Sequence, residues 1–179
     1  MEEDKTPTES AKHVELLVNH LKSDNPSVQD NIRWQFSKIW DLEEANNLEP
    51  AEQHLLTIAL FIYCSHLQLE NANVKLDIAR ESILKALRKS IAPELDKNLK
   101  FEKASDNSFG KFLEIETERF DKFYDWAHFL PETLKSNDKE WTVKMQKCYF
   151  CQFYVRFGRS DFMQTACTFD QLGVQERAD

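Results

Sequence analysis

The chain has 179 residues, 41% hydrophobic and 30% charged, with 13 Phe and 4 Trp, which is enough bulky apolar surface for one domain with a real core and too little length for two. With 31 acidic against 23 basic side chains, the formal charge of -8 repels phosphate backbones and anionic membrane surfaces, so neither nucleic acid nor membrane is an expected partner. Only 3 Gly and 5 Pro occur, a scarcity of turn residues that suits long helices and excludes a many-stranded sheet.

The start, MEEDKTPTES, has neither the basic opening nor the apolar centre of a secretory signal. Residues 1–9 are expected to be a disordered tail and 10–179 a single globular domain. No apolar run reaches the roughly 18 residues of a membrane span. A cytoplasmic protein is expected, with Cys64, Cys148, Cys151 and Cys167 as thiols rather than disulfides.

Ser10 to Ser23 places Val14, Leu17, Val18 and Leu21 on one helical stripe, which Asp24-Asn25-Pro26 stops. A second helix follows with Val28, Ile32, Phe36, Ile39 and Trp40 inward, ending near Asn46-Asn47. Pro50 opens a third, apolar on nearly all sides from Leu55 to Leu69, as befits a helix surrounded by others. A fourth runs from Asn73 to Ile91 with Val74, Ile78, Leu84, Leu87 and Ile91 inward, and Ala92-Pro93 is expected to end it. Phe109 to Leu130 reads as a fifth that buries Phe112, Phe120, Phe123, Trp126 and Leu130, closed by Pro131.

The period then changes, because Trp141 to Gln146 alternates apolar and polar residues as a half-buried strand does. A lone strand leaves its backbone groups unpaired, so a partner is required: a weaker alternation at Leu99 and Phe101, or a second chain in a homo-oligomer joined through the exposed strand edge. A short helix from Tyr149 to Phe157, capped by Gly158, leads to a last helix that begins near Ser160-Asp161 and carries Cys167 and Asp170. The fold class predicted is mainly α, with a small C-terminal α+β element of one to three short strands.

The region 141–172 holds the densest set of reactive side chains, Cys148-x2-Cys151-x15-Cys167-x2-Asp170. Cys167 and Asp170 share a helix face. Cys148, Cys167 and Asp170 are the candidate catalytic residues: a thiolate nucleophile beside a carboxylate, which needs a helix N-terminus or a cation such as Arg156 or Arg159 to offset the carboxylate's charge. They are expected to face a cavity lined by aromatic residues such as Phe150 and Phe169. The same spacing imitates a zinc ribbon with Asp as last ligand, and buried free Cys also packs well against Phe, so catalysis, metal and packing all stay open here. Glu114, Glu118, Asp121 and Asp125 read as a solvated stripe, and Asp125-x-x-His128 as an isolated half of a di-iron motif.

The run from Val143 to Gly158, VKMQKCYFCQFYVRFG, followed by Cys167-Thr168-Phe169-Asp170, resembles the L-2-amino-thiazoline-4-carboxylic acid hydrolase family. That family has a strand ending in Cys, a short aromatic helix closed by Gly, and a Cys-x-x-Asp. Cys148, Gly158, Cys167 and Asp170 match in type and order, while Cys151 occupies a variable position. The resemblance implies a cofactor-free, metal-free hydrolase of a small cyclic amidine or thiazoline-type substrate, attacked at the carbon between nitrogen and sulfur. It also implies a further strand region after the Asp, so this chain is expected to be a C-terminally shortened member. A non-catalytic helical binding or accessory protein related to that family is the alternative.

Overall fold

One helix organises the molecule: α3 (Pro50–Asn71), which contacts α1 (Lys12–His20), α2 (Pro26–Leu42), α4 (Leu76–Lys103), α6 (Tyr149–Arg156) and α7 (Met163–Gln175). The computed structural model describes residues 12–23, 25–123 and 128–175. Among these, two 3-10 turns (Ala45–Asn47 and Ser160–Phe162), α5 (Ser108–Phe123) and a hairpin of β1 (Leu130–Ser136) and β2 (Trp141–Lys147) complete a mainly α fold. The expected tail at 1–9, all of Asp125 and Trp126, and the side chains of Phe120 and Phe123 lie outside the described part. No described helix is long and apolar enough to cross a membrane.

Helix starts follow from local chemistry. Asn25 caps the start of α2, its side chain accepting from the Ser27 N–H at 3.0 Å while Pro26 takes the first helical position. At α3, Pro50 does the same after Glu49, whose N–H donates to Glu52 at 3.2 Å. Leu56, Leu60, Phe61, Ile62 and Cys64 of α3 are buried among Val14, Val18, Ile32, Phe36 and Trp40, so the expected core helix and the inward faces of α1 and α2 are observed.

Four expectations fail. Helix α4 runs through Pro93 to Lys103 rather than ending at Ile91. A proline costs about 3 kcal/mol inside a helix, but Leu87 before it and Leu95 after it are both buried, and the helix packs on α1, α3, α5 and α7 along its length. Burial of that stripe outweighs one missing hydrogen bond. The inward face of α4 is also rotated: Ala79, Ile83, Ala86 and Leu87 are buried and Ile78 is 54% exposed, because two alanines let the helix approach its neighbours closely.

Leu99 and Phe101 therefore lie in α4 and form no strand; the partner of β2 is β1, antiparallel, with Thr133 opposite Val143 and Ser136 opposite Trp141. Leu130, expected to close a helix, is the first residue of β1 and is 45% exposed, and Pro131 sits where the register shifts, a place that tolerates a missing N–H. Asn137 builds the turn: its side chain accepts from the N–H groups of Lys139 and Glu140, each at 2.9 Å.

The C-terminal helices are tied to α3 by two polar contacts across the core. The Tyr154 hydroxyl donates to the Ala59 carbonyl at 3.2 Å, and His66 Nε2 lies 2.8 Å from Thr165 Oγ1, both partners buried. The His66 ring also stacks on Phe162 at 4.3 Å. Burial, then the charges of Arg80 and Arg159 against that of Asp161, hold the His66 pKa down at about 4.

Two outcomes follow from this packing. The unfolded chain binds a proton at His66 below its ordinary 6.5 while the folded chain does not until about 4, so stability falls as pH falls through that window, by about 3 kcal/mol in all. Urea titrations across the window should show a shallower loss in His66→Gln than in wild type; equal slopes would mean that His66 titrates normally. Pro93 is exposed, and Pro93→Ala restores an N–H that can donate to the Lys89 carbonyl. The same titrations should show it to be more stable by about 1–3 kcal/mol.

Candidate functional site

Strand β2 delivers Cys148 to the start of α6, where it is the last extended residue (φ −136°, ψ 124°) and caps the helix. The backbone N–H groups of Phe150 and Cys151, in the first turn of α6, act on its sulfur and favour the thiolate. Burial opposes them and wins, and the neighbouring Cys167 and Cys151 add to it, so the Cys148 thiol is held above its usual range.

Cys167 and Asp170 lie three residues apart on α7, both exposed. The Cys167 thiol is also raised, by burial first, then by the Asp170 charge and by Cys151. The fold therefore brings Cys148, Cys167 and Asp170 near enough for charge on one to be felt by the next, and it adds Cys151, a position the family resemblance leaves variable. Among the described residues no three His, Cys, Asp or Glu side chains are arranged to hold a metal ion, so the zinc-ribbon spacing does not become a ligand set. Phe150 is buried in the core and Phe169 packs partly buried against it.

The helix between the two cysteines ends on backbone geometry. Gly158 adopts φ +68°, and the N–H groups of Gly158 and Arg159 donate to the carbonyls of Val155 and Tyr154 at 3.1 and 2.8 Å, closing α6 as the sequence predicts. The two arginines expected to favour a thiolate are committed elsewhere. Arg156 donates to Glu43 at 2.7 Å and lies over Phe157, while Arg159 pairs with Asp161 at 2.9 Å and Glu70 at 2.8 Å and stacks on Phe162.

Arg119 of α5 lies beside the cluster, its Nη2 3.6 Å from Asp170 Oδ1. Its Nε end lies 3.0 Å from the carboxylate of buried Glu116. Nothing in the sequence marked Arg119, since α5 and α7 are far apart in the chain and both pack on α4. Cys64 and His66 stand two apart on the core helix, a spacing that argues against a dyad, and an imidazole in an otherwise apolar helix is a signal that a polar partner waits across the core, here Thr165. A cavity of about 110 Å³ has His66, Glu70, Arg159 and Asp161 in its wall and touches none of Cys148, Cys167 and Asp170. Glu114, Glu118 and Asp121 are exposed, as a solvated stripe should be, and His128 pairs with Glu52 at 2.9 Å.

Comparison with known proteins gives one match. No curated protein and no solved structure is significantly similar to the chain. A family model described as L-2-amino-thiazoline-4-carboxylic acid hydrolase matches residues 57–177, from the middle of α3 to the end of α7, and so includes Arg119, Cys148, Cys167 and Asp170. That span is well over half of the 179 residues and reaches far upstream of the C-terminal motif. The chain belongs to the L-2-amino-thiazoline-4-carboxylic acid hydrolase family.

Proposed function

We propose that the protein is a cysteine-dependent hydrolase that opens a small cyclic amidine or thiazoline-type ring at its C–N bond, acting in the reducing cytoplasm on a substrate like the one its family is named for. The observation that carries this reading is the meeting of Cys148, at the N-terminus of α6, with Cys167 and Asp170 on α7, inside the span matched by the family model. Cys167 is the nucleophile, because it is exposed and one turn from a carboxylate. Asp170 raises the thiol's pKa through the same proximity that lets it take the thiol's proton as attack begins.

In this mechanism the Cys167 sulfur adds to the ring carbon between nitrogen and sulfur. The bond from that carbon to the ring nitrogen breaks, and the nitrogen keeps the electron pair and takes the proton held by Asp170. Water then adds to the same carbon, and Cys167 leaves with its electron pair and recovers a proton. One water is consumed, one C–N bond is lost, and all ring atoms remain in one product. Cys148 is the second thiol, held ready by the first turn of α6. A homo-oligomer would form through the exposed outer edge of β1.

One observation favours a non-catalytic accessory protein instead: both thiols sit above their usual range and are protonated at neutral pH. Alkylation at neutral pH followed by mass spectrometry separates the two readings. A hydrolase should show Cys167 reacting well ahead of Cys64 and Cys151, whereas uniformly inert thiols would support the accessory role. Cys167→Ala should abolish thiazoline hydrolysis while changing stability by less than about 1 kcal/mol, since an exposed small side chain leaves no core cavity. Asp170→Asn should slow turnover by about a hundredfold and, by removing a like charge, shift the pH dependence of Cys167 alkylation downward. Stability losses of several kcal/mol in both variants would make these residues packing elements.

A further inference from the structure

We infer that Cys148 and Cys151 are a redox-active dithiol, which small disulfides convert into a bond between the two sulfurs and small dithiols restore. Cys151 has no part in the ring-opening chemistry above, and the inference stands independently of that reading. Both are free thiols, each partly exposed, unlike buried Cys64.

The geometry is set by one helical turn. Cys148 is the N-cap of α6 and Cys151 its third residue, and the Cys148 carbonyl accepts from the Gln152 N–H at 3.1 Å, which puts the pair on the first hydrogen-bonded turn. With Tyr149 and Phe150 helical between them, their Cα atoms are about 5 Å apart, inside the roughly 4.4–6.8 Å span of disulfides. Two cysteines so spaced in a helix interior hold their Cβ atoms about 5–6 Å apart, beyond the roughly 3.5–4.5 Å that a disulfide needs. At Cys148 the ψ of 124° swings the Cβ out of the helical position, and the sulfur turns over the first turn to meet the N–H groups of Phe150 and Cys151.

The two residues between the cysteines are pinned. Phe150 is buried with its ring 6.1 Å from that of Phe129, and Tyr149 stacks on Phe153 at 6.2 Å. Closing the bond within so short and rigid a turn costs little chain entropy. Cys64 lies in α3 and Cys167 in α7, so a bond to either would join separate helices.

The exchange takes two steps. One thiol of the pair loses its proton and attacks a sulfur of the small disulfide, whose other sulfur leaves and takes that proton. The second thiol then loses its proton and attacks the protein sulfur of the mixed disulfide, and the remaining small thiol leaves with that proton. Two protein thiols are oxidised and one small disulfide is reduced to two thiols. Cys148 is then withdrawn from the site, while Cys167 is spared.

The test equilibrates the full-length chain at neutral pH with glutathione from fully reduced to fully oxidised. Samples are quenched with acid, alkylated in denaturant and mapped by mass spectrometry. In excess oxidised glutathione, alkylation of Cys148 and Cys151 should fall together by about tenfold or more, with the tryptic peptide from Cys148 to Arg156 two hydrogens lighter. Dithiothreitol should restore both thiols, and the same bond should form in Cys167→Ala. The inference is overturned by Cys148 and Cys151 staying thiols, by both carrying glutathione with no internal bond, or by a bond in wild type from either to Cys167. None of these readouts uses thiazoline turnover, so a chain that opens no thiazoline sinks the ring-opening reading and leaves this result standing.

Discussion

A helix that is apolar all round has to be surrounded, and α3 imposes that requirement on the rest of the chain. Leu56, Leu60, Phe61, Ile62 and Cys64 point in several directions around it and are all buried, so no single neighbour can satisfy them. Helices α1 and α2 cover part of the circumference, α4 another part, and α6 and α7 close the remainder. The two helices that carry the reactive sulfurs are thus walls of the core before they are anything else. Their polar ties, Tyr154 to Ala59 and His66 to Thr165, add direction to an attraction that by itself has none.

How much of this could be read in advance depended on how local the cause was. The face of α2, the start of α3 at Pro50, the strand at Trp141 to Gln146 and the closure of α6 at Gly158 are each set by residues a few positions apart, and each is found as read. Strand β1 was missed because six of its seven residues are exposed: with no face to bury, it carries no alternation, and only the Asn137 turn marks it. Pro93 misled for the opposite reason. Its local preference is strong, but the buried leucines on either side of it belong to contacts made with distant helices.

The same division runs through the site. Cys148, Cys167 and Asp170 stand out in the sequence because reactive residue types are dense there, and the fold brings them together. The cation did not stand out. Arg156 and Arg159 are close in sequence yet are held by Glu43, Glu70 and Asp161, whereas Arg119 arrives from a helix packed on α4. Proximity along the chain is a poor guide to charge pairing once helices cross. The raised thiols give this a chemical meaning, since a sulfur that rests as the protonated form reacts only when something nearby accepts its proton.

Gly158 stands between the helix that Cys148 caps and the helix that bears Cys167. Its φ of +68° sends the chain back toward α3 after α6, and a side chain built there would meet no atom within 4 Å. Space is therefore not what holds the position to glycine; handedness is. An L-residue forced into that dihedral would carry a cost of about 1–2 kcal/mol and would relax by turning α7 relative to α6. The turn between the two sulfur-bearing helices thus depends on one backbone torsion as well as on their packing against α3 and α4, and a substitution invisible to packing would still strain it.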